Sequence, residues 1–164
     1  MRQAENADLR PTEQVGKLDE AVGYVLKQAA AALRTGMDAT LRPLTLSVPQ
    51  YACLELLGQR PGLSNAELAR GAFVTRQSMN GVLRGLQDRG LVARPTTAPH
   101  GRALPTQLTP AGREHLHAAS AAVRAVERQM LSSLSPAHQH RLLNDLAACA
   151  AALTQTTSGE PTAD

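Results

Sequence analysis

The stretch Phe73-Val-Thr-Arg-Gln-Ser-Met-Asn-Gly-Val-Leu-Arg-Gly-Leu-Gln-Asp-Arg-Gly-Leu-Val-Ala-Arg-Pro95 decides the reading of this chain. It holds four arginines (Arg76, Arg84, Arg89, Arg94) and one acid, Asp88. Its apolar residues Met79, Val82, Leu83 and Leu86 still recur at helical spacing. On a wheel of about 100° per residue they fall within about 60° of Met79. Gln77, Asn80, Gly81 and Arg84 fall on the opposite arc. Thr75 is placed to cap this helix, and Gly90 to end it in a left-handed turn. One side docks on a core, and the other presents amides and guanidinium groups.

The flanks complete the pattern. Upstream, Ser47 and Pro49 start a helix from about Val48 to Gly58, with Tyr51, Leu54 and Leu57 inward. Arg60-Pro61-Gly62 is a turn. Ser64-Asn65-Ala66-Glu67 has the form of a capping box for a short helix with Leu68 and Ala69, which Gly71 is suited to end. Downstream, Leu91 to Arg94 reads as a strand, Thr96 to Gly101 as a loop, and Ala103 to Leu108 as a returning strand shortened by Pro105. Helix, turn, basic helix, strand, basic loop, strand is the order of a winged helix-turn-helix. Long amphipathic helices bracket it: one from about Gln14 to Leu41, one from the Thr109-Pro110 start to about Leu134, one from Ser135-Pro136 to about Leu153.

Charge and composition narrow the partner. From Arg70 to Arg102 there are six arginines against one acid, +5 in all, so the chain's net +3 leaves the remainder at −2. A basic patch on a mildly acidic body suits a polyanion. Aromatics make up only 2% of the 164 residues, which disfavours single-strand binding by base stacking and leaves duplex DNA. The same scarcity requires a core of Leu, Val, Ala and Met. On the exposed arc, Gln77 and Asn80 suit adenine edges and Arg84 suits guanine. Thr75 and Ser78 suit phosphate oxygens, and Gly81 permits close approach.

LSVPQYACLELL (46–57), LSNAELARGAFVTRQSMNGVLRGLQDRGLVARP (63–95) and HGRALPTQLTPAG (100–112) together resemble the MarR family of winged helix-turn-helix regulators. The resemblance runs from about Gly16 to Leu153. It implies a mainly α fold with a small β-wing and long N- and C-terminal dimerisation helices. It also implies a homodimer held by the first, fifth and sixth helices, with the fourth helix in the major groove and the wing in the adjacent minor groove. By that resemblance positions 75 to 84, Arg76 among them, take the recognition role, and Arg102 takes the wing-tip role. The family often has Asp-x-Arg there; this chain has His100-Gly101-Arg102, so the acid that orients the hairpin is replaced. The expected DNA-contact set is Thr75, Arg76, Gln77, Ser78, Asn80, Gly81, Arg84, Arg94, His100 and Arg102.

The expected organisation is a loose segment over 1–15, a dimerisation region from 16–46 and 109–154, a DNA-binding lobe over 47–108, and a loose tail over 155–164. The expected function is a repressor of a near-palindromic operator, released by a small lipophilic or phenolic effector such as the family commonly senses. Tyr51 is the one candidate for offering a phenol to such an effector, beside its plainer reading as a core tyrosine. Two rivals are kept: a helical interaction protein that does not read DNA, and a cysteine-redox regulator. Cys53 and Cys149 lie in apolar surroundings and read as buried, inert thiols, and the first helix lacks the cysteine near its start that oxidation-sensing members have. His115/His117 and His138/His140 are two apart on helices and point to different faces, so no metal is expected. No catalytic signature is present, no cofactor is expected, and no run is long and apolar enough to span a bilayer. The polar N-terminus carries no apolar signal core, which leads to a cytoplasmic expectation.

Overall fold

The computed structural model describes residues 17–94 and 105–156. Its elements are α1 (Val22–Leu41), α2 (Val48–Gln59), α3 (Asn65–Gly71), α4 (Arg76–Asp88), β1 (Val92–Ala93), β2 (Gln107–Leu108), α5 (Pro110–Met130) and α6 (Pro136–Thr156). This is the mainly α fold with a small antiparallel wing base that the residue pattern requires. Among the described residues no helix is long and apolar enough to cross a membrane. The chain divides into two compact units, residues 1–32 and 33–164.

In the first unit, the helix expected from Gln14 is interrupted. Leu18–Glu20 form a 3-10 turn, and Ala21 is extended. The Ala21 carbonyl then accepts from the N–H groups of Tyr24 and Val25, and α1 begins there. Leu18, Val22, Tyr24, Val25 and Leu26 stand exposed.

In the second unit, the capping signals operate as read. Ser47 and Gln50 form a reciprocal capping box on α2, and Ser64 and Glu67 form another on α3. Thr75 and Thr109 cap α4 and α5 by accepting from Ser78 and Gly112. The buried core is built mostly from leucines, Leu41, Leu54, Leu57, Leu68, Leu83 and Leu86 among them, with Met79 and Cys53. The single Phe takes no part in it: Phe73 is 95% exposed.

The ends of α3 and α4 are instructive together. After α4, the N–H groups of Gly90 and Leu91 donate to the carbonyls of Gln87 and Leu86, with Gly90 at φ 67°. This is a Schellman ending with glycine in the left-handed position, as the sequence suggests. α3 ends in the same motif: Phe73 donates to Arg70 and Val74 to Ala69. Here the left-handed residue is Phe73, at φ 55°, rather than Gly71. A β-carbon in that conformation costs roughly 1–2 kcal/mol. Gly71 is the last residue of α3, and a β-carbon there would come within 2.7 Å of Leu56 Cδ1, the end of a flexible side chain.

The wing base is shorter than expected. Val92 pairs with Leu108 and Ala93 with Gln107; residues 95–104 lie outside the described ones. Thr106 turns to the α2–α3 turn instead, accepting from the Gly62 N–H at 2.9 Å and donating to the Leu63 carbonyl at 3.4 Å. The N-terminus of α5 docks on the segment between α4 and β1. Thr109 Oγ1 donates to the Gly90 carbonyl (2.7 Å), and the Thr109 N–H donates to the Leu91 carbonyl (3.1 Å). α6 follows after Ser135, and none of its residues from 136 to 154 is buried; Leu143 and Leu153 are the most exposed leucines there.

Candidate nucleic-acid interface

The site is the outer face of α4. Met79, Leu83 and Leu86 are fully buried and Val82 is half-buried, which fixes the rotation of the helix on the core. Thr75, Arg76, Gln77, Ser78, Asn80, Gly81 and Arg84 are all exposed as a result. Nothing lies within 4 Å of where a Gly81 β-carbon would be, so the face is open at its centre. Arg76 and Arg84, with Arg70 at the end of α3, make no ion pair among the described residues. Their charge is available to an outside anion.

The first turn is preorganised. Thr75 Oγ1 accepts from the Ser78 N–H (3.0 Å) and donates to Ser78 Oγ (2.9 Å). The exposed Ser78 hydroxyl keeps its own hydrogen to donate, at a helix N-terminus whose partial positive charge favours phosphate.

Asn80 is held from behind. Asn65 Nδ2 lies 2.6 Å from Asn80 Oδ1 and 3.4 Å from the Arg76 carbonyl. Because a carbonyl needs a donor, the Asn65 nitrogen must face Arg76, and the Asn80 atom it meets must be the oxygen. The Asn80 carboxamide is thereby fixed with its Nδ2 as the free donor. One of its two acceptor positions is already used, so Gln77 is the freer of the two amides for a bidentate adenine contact. Asn65 is absent from the expected set, and no local pattern in the sequence points to it, because its partner Asn80 lies 15 residues away.

The six-arginine segment does not act as one patch. Arg89, although exposed, lies along the surface of the lobe, donating to the Thr45 carbonyl (2.6 Å), Thr45 Oγ1 (2.9 Å) and the Leu44 carbonyl (3.3 Å). It closes the 3-10 turn Arg42–Leu44, whose capping residue Thr45 is left-handed. Arg94, expected among the DNA contacts, is half-buried at the wing base, with Nε buried and unpartnered among the described residues. His100 and Arg102, also expected contacts, lie outside the described residues.

Tyr51 sits in the core, where its hydroxyl donates to Glu55 Oε2 at 2.5 Å. Ser120 on α5 donates to the same oxygen at 3.1 Å. Burial, then the Glu55 hydrogen bond, push the Tyr51 phenol up to about 12. This is the core-tyrosine arrangement, with the phenol committed inside the lobe. Burial likewise pushes the Cys53 thiol up to about 12, opposed by the Arg94 charge. A thiol so placed is a poor nucleophile. Cys149 departs from expectation: it is exposed on α6, because the face of α6 that carries it packs on nothing in its own unit.

A capped polar recognition helix on a leucine core, followed by a two-stranded wing base, defines a winged helix-turn-helix protein. The profile described as MarR family matches residues 44–103. The chain is 48% identical over 126 residues to an HTH-type transcriptional repressor, Rv2887, of Mycobacterium tuberculosis, covering 76% of this chain and 91% of that protein. The crystal structure of Rv2887 in complex with DNA matches at TM-score 0.68 and 43% identity, over 79% of this chain and 97% of that one. Its complex with salicylic acid matches at TM-score 0.67 and 45% identity, over 79% and 96%. The chain belongs to the MarR family of transcriptional regulators.

Proposed function

We propose that this protein is a dimeric repressor that binds a near-palindromic operator through two copies of α4 and is released by a small aromatic acid or phenol. The observation that carries the DNA part is the outward face of α4: seven exposed polar or glycine positions from Thr75 to Arg84 on a helix whose opposite side is sealed in the core. Base-edge readers (Gln77, Asn80, Arg84) are combined there with phosphate-suited hydroxyls at a capped N-terminus. The DNA complex of Rv2887 supports the same use of the fold.

Dimerisation is supported by uncovered apolar surface in each unit. Leu18, Val22, Val25 and Leu26 are exposed in one, and Met130, Leu142, Leu143, Leu146 and Leu153 in the other. A lone subunit leaves that surface in water, at about 25 cal/mol per Å2. A two-fold pair would set its recognition helices roughly 34 Å apart, one turn of duplex, and so favour a palindrome. The effector class is supported by the salicylic acid complex of Rv2887. The chain performs no catalysis in this reading and needs no cofactor.

The test combines three measurements on the full chain. Light scattering after size-exclusion chromatography should give twice the monomer mass. A gel shift against the duplex upstream of its own coding sequence should give one retarded complex that survives competitor DNA. Salicylate should then release it. A monomer, or retention lost to any competitor duplex, would overturn the dimeric, sequence-specific part. Release by no aromatic acid or phenol would overturn the effector part.

A further inference from the structure

We propose that Phe73 is a DNA-contacting residue, packing its ring on the apolar surface of the duplex, deoxyribose or thymine methyl, where α4 enters the groove. The inference rests on the DNA-binding reading above. Phe73 is the only phenylalanine of the chain and is 95% exposed. It occupies the left-handed position of the Schellman ending of α3, at φ 55°. The equivalent position after α4 is Gly90, and the other left-handed turn of the helix-turn-helix, before α3, has Gly62. Glycine meets this backbone demand without strain; phenylalanine does not. An exposed ring returns almost no burial to the folded lobe in exchange for that strain.

The benefit of the side chain therefore lies outside the free subunit, and its place in the chain says where. Phe73 lies two residues before the Thr75 cap of α4. The arginines nearest to it on either side are Arg70 and Arg76, both exposed and neither in an ion pair among the described residues. An apolar ring between two free guanidinium groups, next to a helix start suited to phosphate, matches a duplex edge. Phosphates there alternate with sugars, and thymine methyls line the groove. A protein partner or a second copy of this chain would have to use the same cationic ground that α4 needs for DNA.

The test uses the full chain, its own upstream duplex, and the variants Phe73→Gly and Phe73→Leu. Each is measured by thermal unfolding and by fluorescence anisotropy across a salt series. Phe73→Gly should melt no lower than wild type yet bind about tenfold more weakly. Phe73→Leu should fall between the two in affinity. The salt slope should stay the same, since an apolar contact releases no counterion. A duplex with uracil replacing thymine distinguishes the two surfaces: wild type loses affinity on it, and Phe73→Gly does not, if the ring meets a methyl. Equal binding by Phe73→Gly and wild type would overturn the proposal, as would a lower melting temperature for Phe73→Gly, which would make the ring structural. Failure of wild type itself to bind any duplex would instead overturn the regulator reading on which this one stands.

Discussion

Replacing Gly112 by alanine tests how the wing is held to the long helices. Gly112 lies in the first turn of α5, where alanine ordinarily improves a helix by about 1 kcal/mol. Here the sign reverses. A β-carbon at Gly112 would lie 2.0 Å from the Leu91 carbonyl oxygen and 3.0 Å from its carbon, both backbone atoms that no rotamer can move. Ordinary contact begins near 3.4 Å, so α5 and the segment after α4 must part by more than 1 Å. That opening exceeds what the Thr109 bonds can follow. Thr109 Oγ1 to the Gly90 and Leu91 carbonyls (2.7 and 3.2 Å) and the Thr109 N–H to Leu91 (3.1 Å) would stretch or break. Two or three such bonds at about 1 kcal/mol each, with about 1–3 kcal/mol of overpacking, outweigh the helix gain and leave a loss of about 2–5 kcal/mol. For a chain of this size that lowers the melting temperature by roughly 4–20 °C. Circular dichroism at 222 nm during heating, with urea unfolding as a check, reads it directly. A Gly112→Ala protein as stable as wild type would refute the close approach of Leu91 to α5, and with it the account of how β2 is anchored.

Gly81→Ala should behave oppositely. Its β-carbon meets nothing within 4 Å, so the protein should gain about 0.5–1 kcal/mol while duplex binding weakens; a variant as stable as or less stable than wild type would show that the site is not open. Arg89→Ala should cost about 1–2 kcal/mol in urea unfolding through its lost bonds to Leu44 and Thr45, yet leave the salt slope of DNA binding unchanged. Thiol titration with an aromatic disulfide near pH 8 should leave buried Cys53 unlabelled until the protein unfolds, and a fast-reacting Cys53 would revive the redox reading. Cys53 and Tyr51 are both held neutral by the fold, raised from 9.0 and 10.0 to about 12. The stability they contribute is complete below pH 9 and drains away as pH climbs toward 12, so alkaline unfolding should be shallower in Cys53→Ala.

Much of this was legible in the residue order because local physics carried it. Ser47, Ser64, Thr75 and Thr109 cap helices wherever the chain places them, and the spacing of Met79, Leu83 and Leu86 sets the rotation of α4 without knowledge of its neighbours. Long-range contacts were not legible. Nothing in the sequence ties Arg89 to Thr45, 44 residues away, or Asn65 to Asn80, so one arginine too many entered the basic patch and one positioning residue was left out. Gly71 and Phe73 show the same limit on a smaller scale. Glycine near a helix end suggests a left-handed stop, but Gly71 is the last helical residue, packed against Leu56, and the left-handed stop falls two residues later on Phe73. The apolar neighbours of Cys149 suggest burial, yet they line a face of α6 on which Cys149 stands exposed.

The most direct measurement is the affinity of the full chain for its upstream duplex across a salt series, for wild type, Gln77→Ala and Arg84→Ala. Both variants should melt like wild type, since both side chains are exposed, and each should bind about 5–150-fold more weakly to the preferred site than wild type, with a smaller loss on unrelated duplex. Equal losses on both duplexes, or none on either, would contradict the claim that this face of α4 reads DNA sequence.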